Sequence, residues 1–124
     1  MPDDPAPDIP PRPEPDWVGA LLACRFRTLR PAEPLEGGRV AIRVPRFDGP
    51  VLRRLLLPRL RRPHFLVRLD DLGSAAWRLC DGTRTGDRIA ADLEGLFPGQ
   101  ADLRPRVALF LRALVAQGHV SAER

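Results

Sequence analysis

The sequence predicts an α+β domain, on three observations. Apolar and polar residues alternate over residues 24–30, 39–44 and 64–69, whereas beyond residue 70 apolar residues recur at every third or fourth position. The first sixteen residues hold seven of the fifteen prolines and five acids, too little apolar surface to order themselves. This divides the chain into a disordered, acidic, Pro-rich tail (1–16) and a single domain (17–124) of about 108 residues, enough for one modest core. Within that domain, 17–62 carry the first strands and an Arg-rich insert, and 63–124 carry the helical part.

After the tail, Trp17, Val18, Leu21 and Leu22 form an apolar patch. Arg25 and Arg27 then alternate with Cys24, Phe26 and Thr28, the period of a half-buried strand. Pro31, Pro34 and Gly37-Gly38 mark a loop. Val40, Ile42 and Val44 share one face of a second strand, expected to pair with the first as a hairpin, and Pro45 to Pro50 break it. Val51 to Leu57 suit one or two helical turns before Pro58. In the third strand, Phe65, Val67 and Leu69 face opposite to Leu66 and Arg68. Asp70 or Asp71 offers an N-cap for a helix over 72–80, stopped by Asp81-Gly82. Thr85 caps a second helix over 86–97, with Ile89, Leu93 and Leu96 at helical spacing. Asp102 opens a third helix through Gln117, closed by Gly118. A small three-stranded antiparallel sheet followed by three helices is the inventory of a winged helix-turn-helix.

Composition removes several functions. No apolar run approaches the ~18–20 residues that span a bilayer, and the N-terminus lacks the order of a signal peptide, so a cytoplasmic protein is expected. Cys24, Cys80, His64 and His119 have no metal-ligand spacing, and there is no glycine-rich phosphate loop; no metal or cofactor is expected. Cys80 reads as a buried, inert thiol on the core side of a short helix, and Asp70, Asp71 and Asp81 read as helix punctuation, so no catalytic residue is assigned. All twenty basic residues are Arg. Residues 39–68 hold nine of them against Asp48, whereas residues 1–38 hold four against seven acids. A basic middle suggests an acidic partner.

At Leu69-Asp70-Asp71-Leu72-Gly73-Ser74-Ala75-Ala76-Trp77-Arg78-Leu79-Cys80-Asp81-Gly82 the chain resembles the PqqD family, whose pattern closes on leucine-cysteine-aspartate-glycine. The similarity runs on through Thr83-Arg84-Thr85 and the Ile89 and Leu93 helix to Phe110-Leu111, Leu114, Gly118 and Val120, covering residues 64 to 120. Three positions depart from the pattern: Asp70 stands for the common asparagine, Leu72 for a small or hydroxyl residue, and Gly86 for an apolar one. The resemblance implies a RiPP recognition element. Such a module is non-catalytic, binds the leader of a ribosomally made precursor peptide as an added strand beside its third strand, and presents the core to a modifying enzyme, often a radical SAM enzyme.

The residues allow such a role. Strand addition needs an unpaired sheet edge, and His64, Phe65, Leu66, Val67, Arg68 and Leu69 are the candidate, the alternative being an edge covered by the tail or the insert. In the last helix, Leu103, Val107, Phe110, Leu111 and Leu114 share the core face. Leu109, Ala113 and Ala116 lie opposite, flanked by Arg106 and Arg112, where a surface helix would be polar. These eleven residues form the expected peptide groove. The alternatives for the helix back are burial under Trp17 to Leu22 and a homodimer contact. DNA binding is a competing reading of the fold, although the last helix offers Val, Leu, Ala and Phe in place of base-reading side chains. Another is a different protein-interaction domain. The Arg-rich stretch 51–62 could touch an anionic surface, and the tail could compete for the groove.

Overall fold

A computed structural model describes residues 13–45 and 64–124 of the chain. The elements are α1 (Asp16–Leu22), β1 (Arg25–Thr28), β2 (Ala32–Pro34), a single 3₁₀ turn (Glu36–Gly38), β3 (Val40–Pro45), β4 (His64–Arg68), α2 (Asp71–Leu79), β5 (Asp81–Thr85), α3 (Gly86–Leu96), α4 (Leu103–Ala116) and β6 (Val120–Glu123). The α+β class stands. The strands form two antiparallel sheets of three, ordered β5-β1-β6 and β2-β3-β4. The helical turns expected over 51–57, and residues 1–12 of the expected tail, lie outside the described residues.

The expected hairpin between the first two alternating segments is not formed. β1 pairs with β5 and β6, and β3 pairs with β2 and β4. The segment 32–34, expected as loop, takes the hairpin position itself, with Ala32 opposite Ile42 and Pro34 opposite Val40. Its one proline, Pro34, is tolerated because β2 is an edge strand. Gly37 and Gly38, both at left-handed φ (75° and 78°), close that hairpin at a conformation costly to any other residue. Two further strands were not foreseen. β5 begins at the Asp-Gly pair that ends α2, and β6 is the short run after Gly118.

α2, α3 and α4 start where the sequence places them, whereas α1, expected only as an apolar patch, is a further helix. Asp70 caps α2, its Oδ1 accepting the N–H of Gly73 at 2.7 Å, and Thr85 Oγ1 accepts the N–H of Arg88 at 3.2 Å at the head of α3. α4 opens from Asp102, which has a left-handed backbone (φ 55°) and makes no side-chain cap. The core runs from α1 (Val18, Leu22) through Phe26 to Ile89, Leu93, Leu111 and Val120, and continues into Ile42, Ala76 and Trp77.

Gly86, a departure from the family pattern, has a physical reason. A Cβ there would lie 2.6 Å from Leu22 Cδ2, 2.8 Å from Leu22 Cα and 3.0 Å from Phe26 Cε2. α1 crosses the head of α3 so closely that only hydrogen fits.

Candidate peptide-binding groove

Among the described residues β4 is held on one side only. Its register sets Val67 opposite Ile42, Phe65 opposite Val44 and Leu66 opposite Arg43, and no described strand lies on its other side. The N–H of Leu69 donates to the Val40 carbonyl at 3.0 Å. By alternation, Phe65 and Val67 direct their backbone groups to β3, while His64, Leu66 and Arg68 direct theirs outward. Among the described residues that edge is open.

Side chains alternate with the same period. Phe65, Val67 and Leu69 share the inner face with Ile42 and Val44, and His64, Leu66 and Arg68 lie on the outer face. Ile42 and Val44 are buried, yet Phe65, on the same face, is 44% exposed and Val67 is half-buried. Among the described residues, the inner face of the sheet is therefore left uncovered along its last strand.

On α4, Leu103, Val107, Ala108, Leu111 and Leu114 are buried and Phe110 is half-buried. The Phe110 ring closes on the end of β4 at Gly73. A Cβ built there would lie 3.4 Å from Phe110 Cζ, 3.5 Å from Leu69 Cβ and 3.0 Å from Asp70 Oδ1. Ser74, beside it and fully buried, fixes the strand: its Oγ accepts the N–H of Val40 at 3.0 Å and donates to the Leu69 carbonyl at 3.3 Å.

Leu109, Ala113 and Ala116, which the helical projection sets opposite the core face, are exposed, with Leu109 at 54%. The covering segment considered for this face, Trp17 to Leu22, leaves those three residues open. The two flanking arginines part company. Arg106 lies about 40° around the helix from Phe110 and donates to Gln100 Oε1 at 3.0 Å. Arg112 lies about 160° from Phe110, its guanidinium 4.5 Å from the centre of the Trp17 ring on α1. It belongs to the α1 side of the helix, not to the β4 side. Among the described residues neither Arg68 nor Arg106 pairs with a carboxylate, although Arg39, Arg43, Arg84, Arg88 and Arg104 all do.

Three contributors were missed by sequence reasoning: Gly73, Ser74 and Phe110, the last assigned wholly to the core. The available signal was Gly73 itself, since glycine in a helix costs ~1 kcal/mol against alanine and asks for a packing reason. Between α2 and α4 a cavity of about 160 Å³ opens at this same point.

The Leu-Cys-Asp-Gly-Thr-Arg-Thr string does not reach the groove. Asp81 accepts from the N–H and Oγ1 of Thr83 and pairs with Arg84, interactions that hold its carboxyl below the usual carboxylate range. Gly82 (φ 87°) lies beneath the Arg27 guanidinium, where a side chain would collide. The string is the β5 turn, and its chemistry is structural. Among the described residues no helix is long and apolar enough to cross a membrane.

Comparison with curated proteins and with solved structures gives no match. Residues 60–120, however, match the family model described as Coenzyme PQQ synthesis protein D (PqqD). That span holds β4, α2, β5, α3 and α4, and the match supports a PqqD-like family assignment for this half of the chain.

Proposed function

We propose that the chain is a non-catalytic module that binds the leader of a ribosomally synthesised precursor peptide as a strand added to β4. It then presents the peptide to a modifying enzyme, for which the family resemblance favours a radical SAM enzyme. The match supports, at family level, the role of a peptide-binding accessory protein associated with coenzyme PQQ synthesis. The observation that carries the finer reading is the mismatch along β4 among the described residues: apolar side chains on the inner face are uncovered, and the backbone of Leu66 and Arg68 points at the open edge. An added strand satisfies both, its N–H and C=O groups completing the ladder and its alternate side chains covering Phe65 and Val67 against Arg106, Phe110 and Ala113. Arg68 and Arg106, which pair with no carboxylate among the described residues, favour an acidic leader and raise its association rate. Such a module works in the cytoplasm, where precursor peptides are made.

DNA binding is the weaker reading, because the exposed face of α4 offers Leu109, Ala113 and Ala116 and α3 carries Asp87, Asp92 and Glu94.

The test is a titration of isotopically labelled protein with short peptides encoded beside its gene. Amide shifts concentrated on residues 64–69 and 104–117 at micromolar concentration are expected. Leu66→Pro removes an outward N–H without taking a bond from β3, and should abolish those shifts while the fold persists. A peptide that binds with no perturbation of β4, or binds Leu66→Pro equally well, overturns strand addition.

A further inference from the structure

The N-terminal segment, residues 1–12, has its root on α4. Pro13 is exposed, and Glu14 Oε1 accepts from Arg104 Nε at 2.6 Å, at the start of the helix that carries Arg106. The open edge of β4 offers the backbone of every second residue, His64, Leu66 and Arg68. A strand paired antiparallel to it there must carry an N–H at three alternate positions, and proline has none. With prolines at 2, 5, 7, 10 and 11, residues 4, 6 and 8 are the single such set within 1–12. The prolines between them, Pro5 and Pro7, then turn their nitrogens to the free side, which an edge strand tolerates.

The side chains agree with that register. On the outer face it sets Asp4 opposite Arg68, Ala6 opposite Leu66 and Asp8 opposite His64; on the inner face it sets Pro5 opposite Val67 and Pro7 opposite Phe65. An acid meets Arg68, which pairs with no carboxylate among the described residues. Two apolar rings meet Phe65 and Val67, the exposed and half-exposed side chains of the inner face. A parallel strand using the same N–H groups would instead put both acids on the face of Phe65 and Val67. We infer that residues 4–8 of this chain are a built-in occupant of the β4 edge, which an incoming acidic peptide must displace. The inference rests on β4 accepting an added strand. Residues 9–13 lead back to the anchored Glu14, a reach of up to ~20 Å. The tether gives the segment an effective concentration of order mM, so a short strand of weak intrinsic affinity competes. Peptides that pair no better than Asp-Pro-Ala-Pro-Asp are excluded, which raises the selectivity of the edge.

The test is amide hydrogen exchange on the full chain with no peptide added. The outward N–H groups of Leu66 and Arg68 should exchange about tenfold or more slower than in Ala6→Pro, which removes the middle N–H of the set. Ile9→Pro alters a nitrogen on the free side and keeps every charge, so it should leave that protection unchanged within about twofold. Protection should also be the same over about a tenfold range of protein concentration, as an intramolecular contact requires. A synthetic peptide of residues 1–12 should bind Ala6→Pro about threefold or more tighter than the unaltered chain, and restore its protection at Leu66 and Arg68. Equal exchange in the unaltered chain and Ala6→Pro, equal loss in Ile9→Pro, or protection that rises with protein concentration overturns the built-in occupant. Strand addition still stands in that event if a peptide encoded beside the gene perturbs the β4 amides. Protection that Ala6→Pro abolishes, with no such peptide binding either chain, sustains the built-in occupant and overturns the leader-binding reading alone.

Discussion

The hydroxyl of Ser74 accepts the backbone N–H of Val40 at 3.0 Å, tying the first turn of α2 to the central strand of the second sheet. The same hydroxyl donates to the Leu69 carbonyl, so one buried oxygen fixes the end of β4 relative to α2. Ser74→Ala leaves the Val40 N–H buried without a partner and should cost about 1–3 kcal/mol. Urea unfolding measures the loss. Hydrogen exchange should locate it, with protection falling first at Val40 and Leu69. Uniform loss across the chain would remove Ser74 from its role as the link between sheet and helix.

Two glycines of α3 should respond in opposite directions. Gly86→Ala forces a methyl group against the Leu22 backbone, where α1 cannot withdraw without unpacking Val18 and Leu22, and should destabilise by about 1–3 kcal/mol. Gly95, in the last turn of the same helix, has nothing within 4 Å of its would-be Cβ. Gly95→Ala should stabilise by up to about 1 kcal/mol through helix propensity. Thermal unfolding of the two variants separates steric exclusion from backbone entropy, and a stabilising Gly86→Ala would show that α1 does not press on α3.

The parts legible in the sequence are those that local chemistry decides. Asp70 and Thr85 are caps because their side-chain oxygens sit three residues before the amides they accept, and β4 is a strand because residues 64–69 alternate. The unread parts depend on distant partners. β5 and β6 are strands because β1 lies between them, and nothing in Asp81-Gly82-Thr83 or Val120-Ser121-Ala122 announces that neighbour. The same limit shaped the site. The helical projection sets Leu109, Ala113 and Ala116 opposite the core face, but angular spacing alone treats Arg106 and Arg112 as equivalent flanks. Only the packing of α1 against α4, which brings Trp17 under Arg112, distinguishes them.

That distinction is measurable. Arg112→Ala should lower stability by about 0.5–1 kcal/mol, through loss of the cation–π contact with Trp17, and leave peptide affinity unchanged. Arg106→Glu reverses the charge at the groove lip. It should slow association with an acidic peptide, most clearly at low salt, and leave the thermal midpoint unchanged. Stopped-flow association rates at two ionic strengths, with calorimetry of each variant, provide both readings. Equal rate losses for the two substitutions would return Arg112 to the groove.

Cys80 gives the fold an alkaline limit that little else in the chain can obscure. Its thiol is buried at the end of α2, donates to the Ala76 carbonyl at 3.3 Å and adjoins the Asp81 carboxylate. Burial first, and the Asp81 charge second, push its pKa from 9.0 to about 12. The chain has neither Lys nor Tyr, and Arg keeps its proton, so between those values only the thiols titrate among the side chains. The folded state retains the Cys80 proton while the unfolded chain releases it above about pH 9. The contribution to stability is therefore complete below that value and falls by roughly 1.4 kcal/mol per pH unit as pH rises towards 12. Urea unfolding at pH 8, 9, 10 and 11 should show this decline in the unaltered chain. Cys80→Ala should start less stable, having lost a packed sulfur, yet follow a flatter course above pH 9. Parallel slopes for the two proteins would mean that the buried thiol is not the group that limits the fold in alkali.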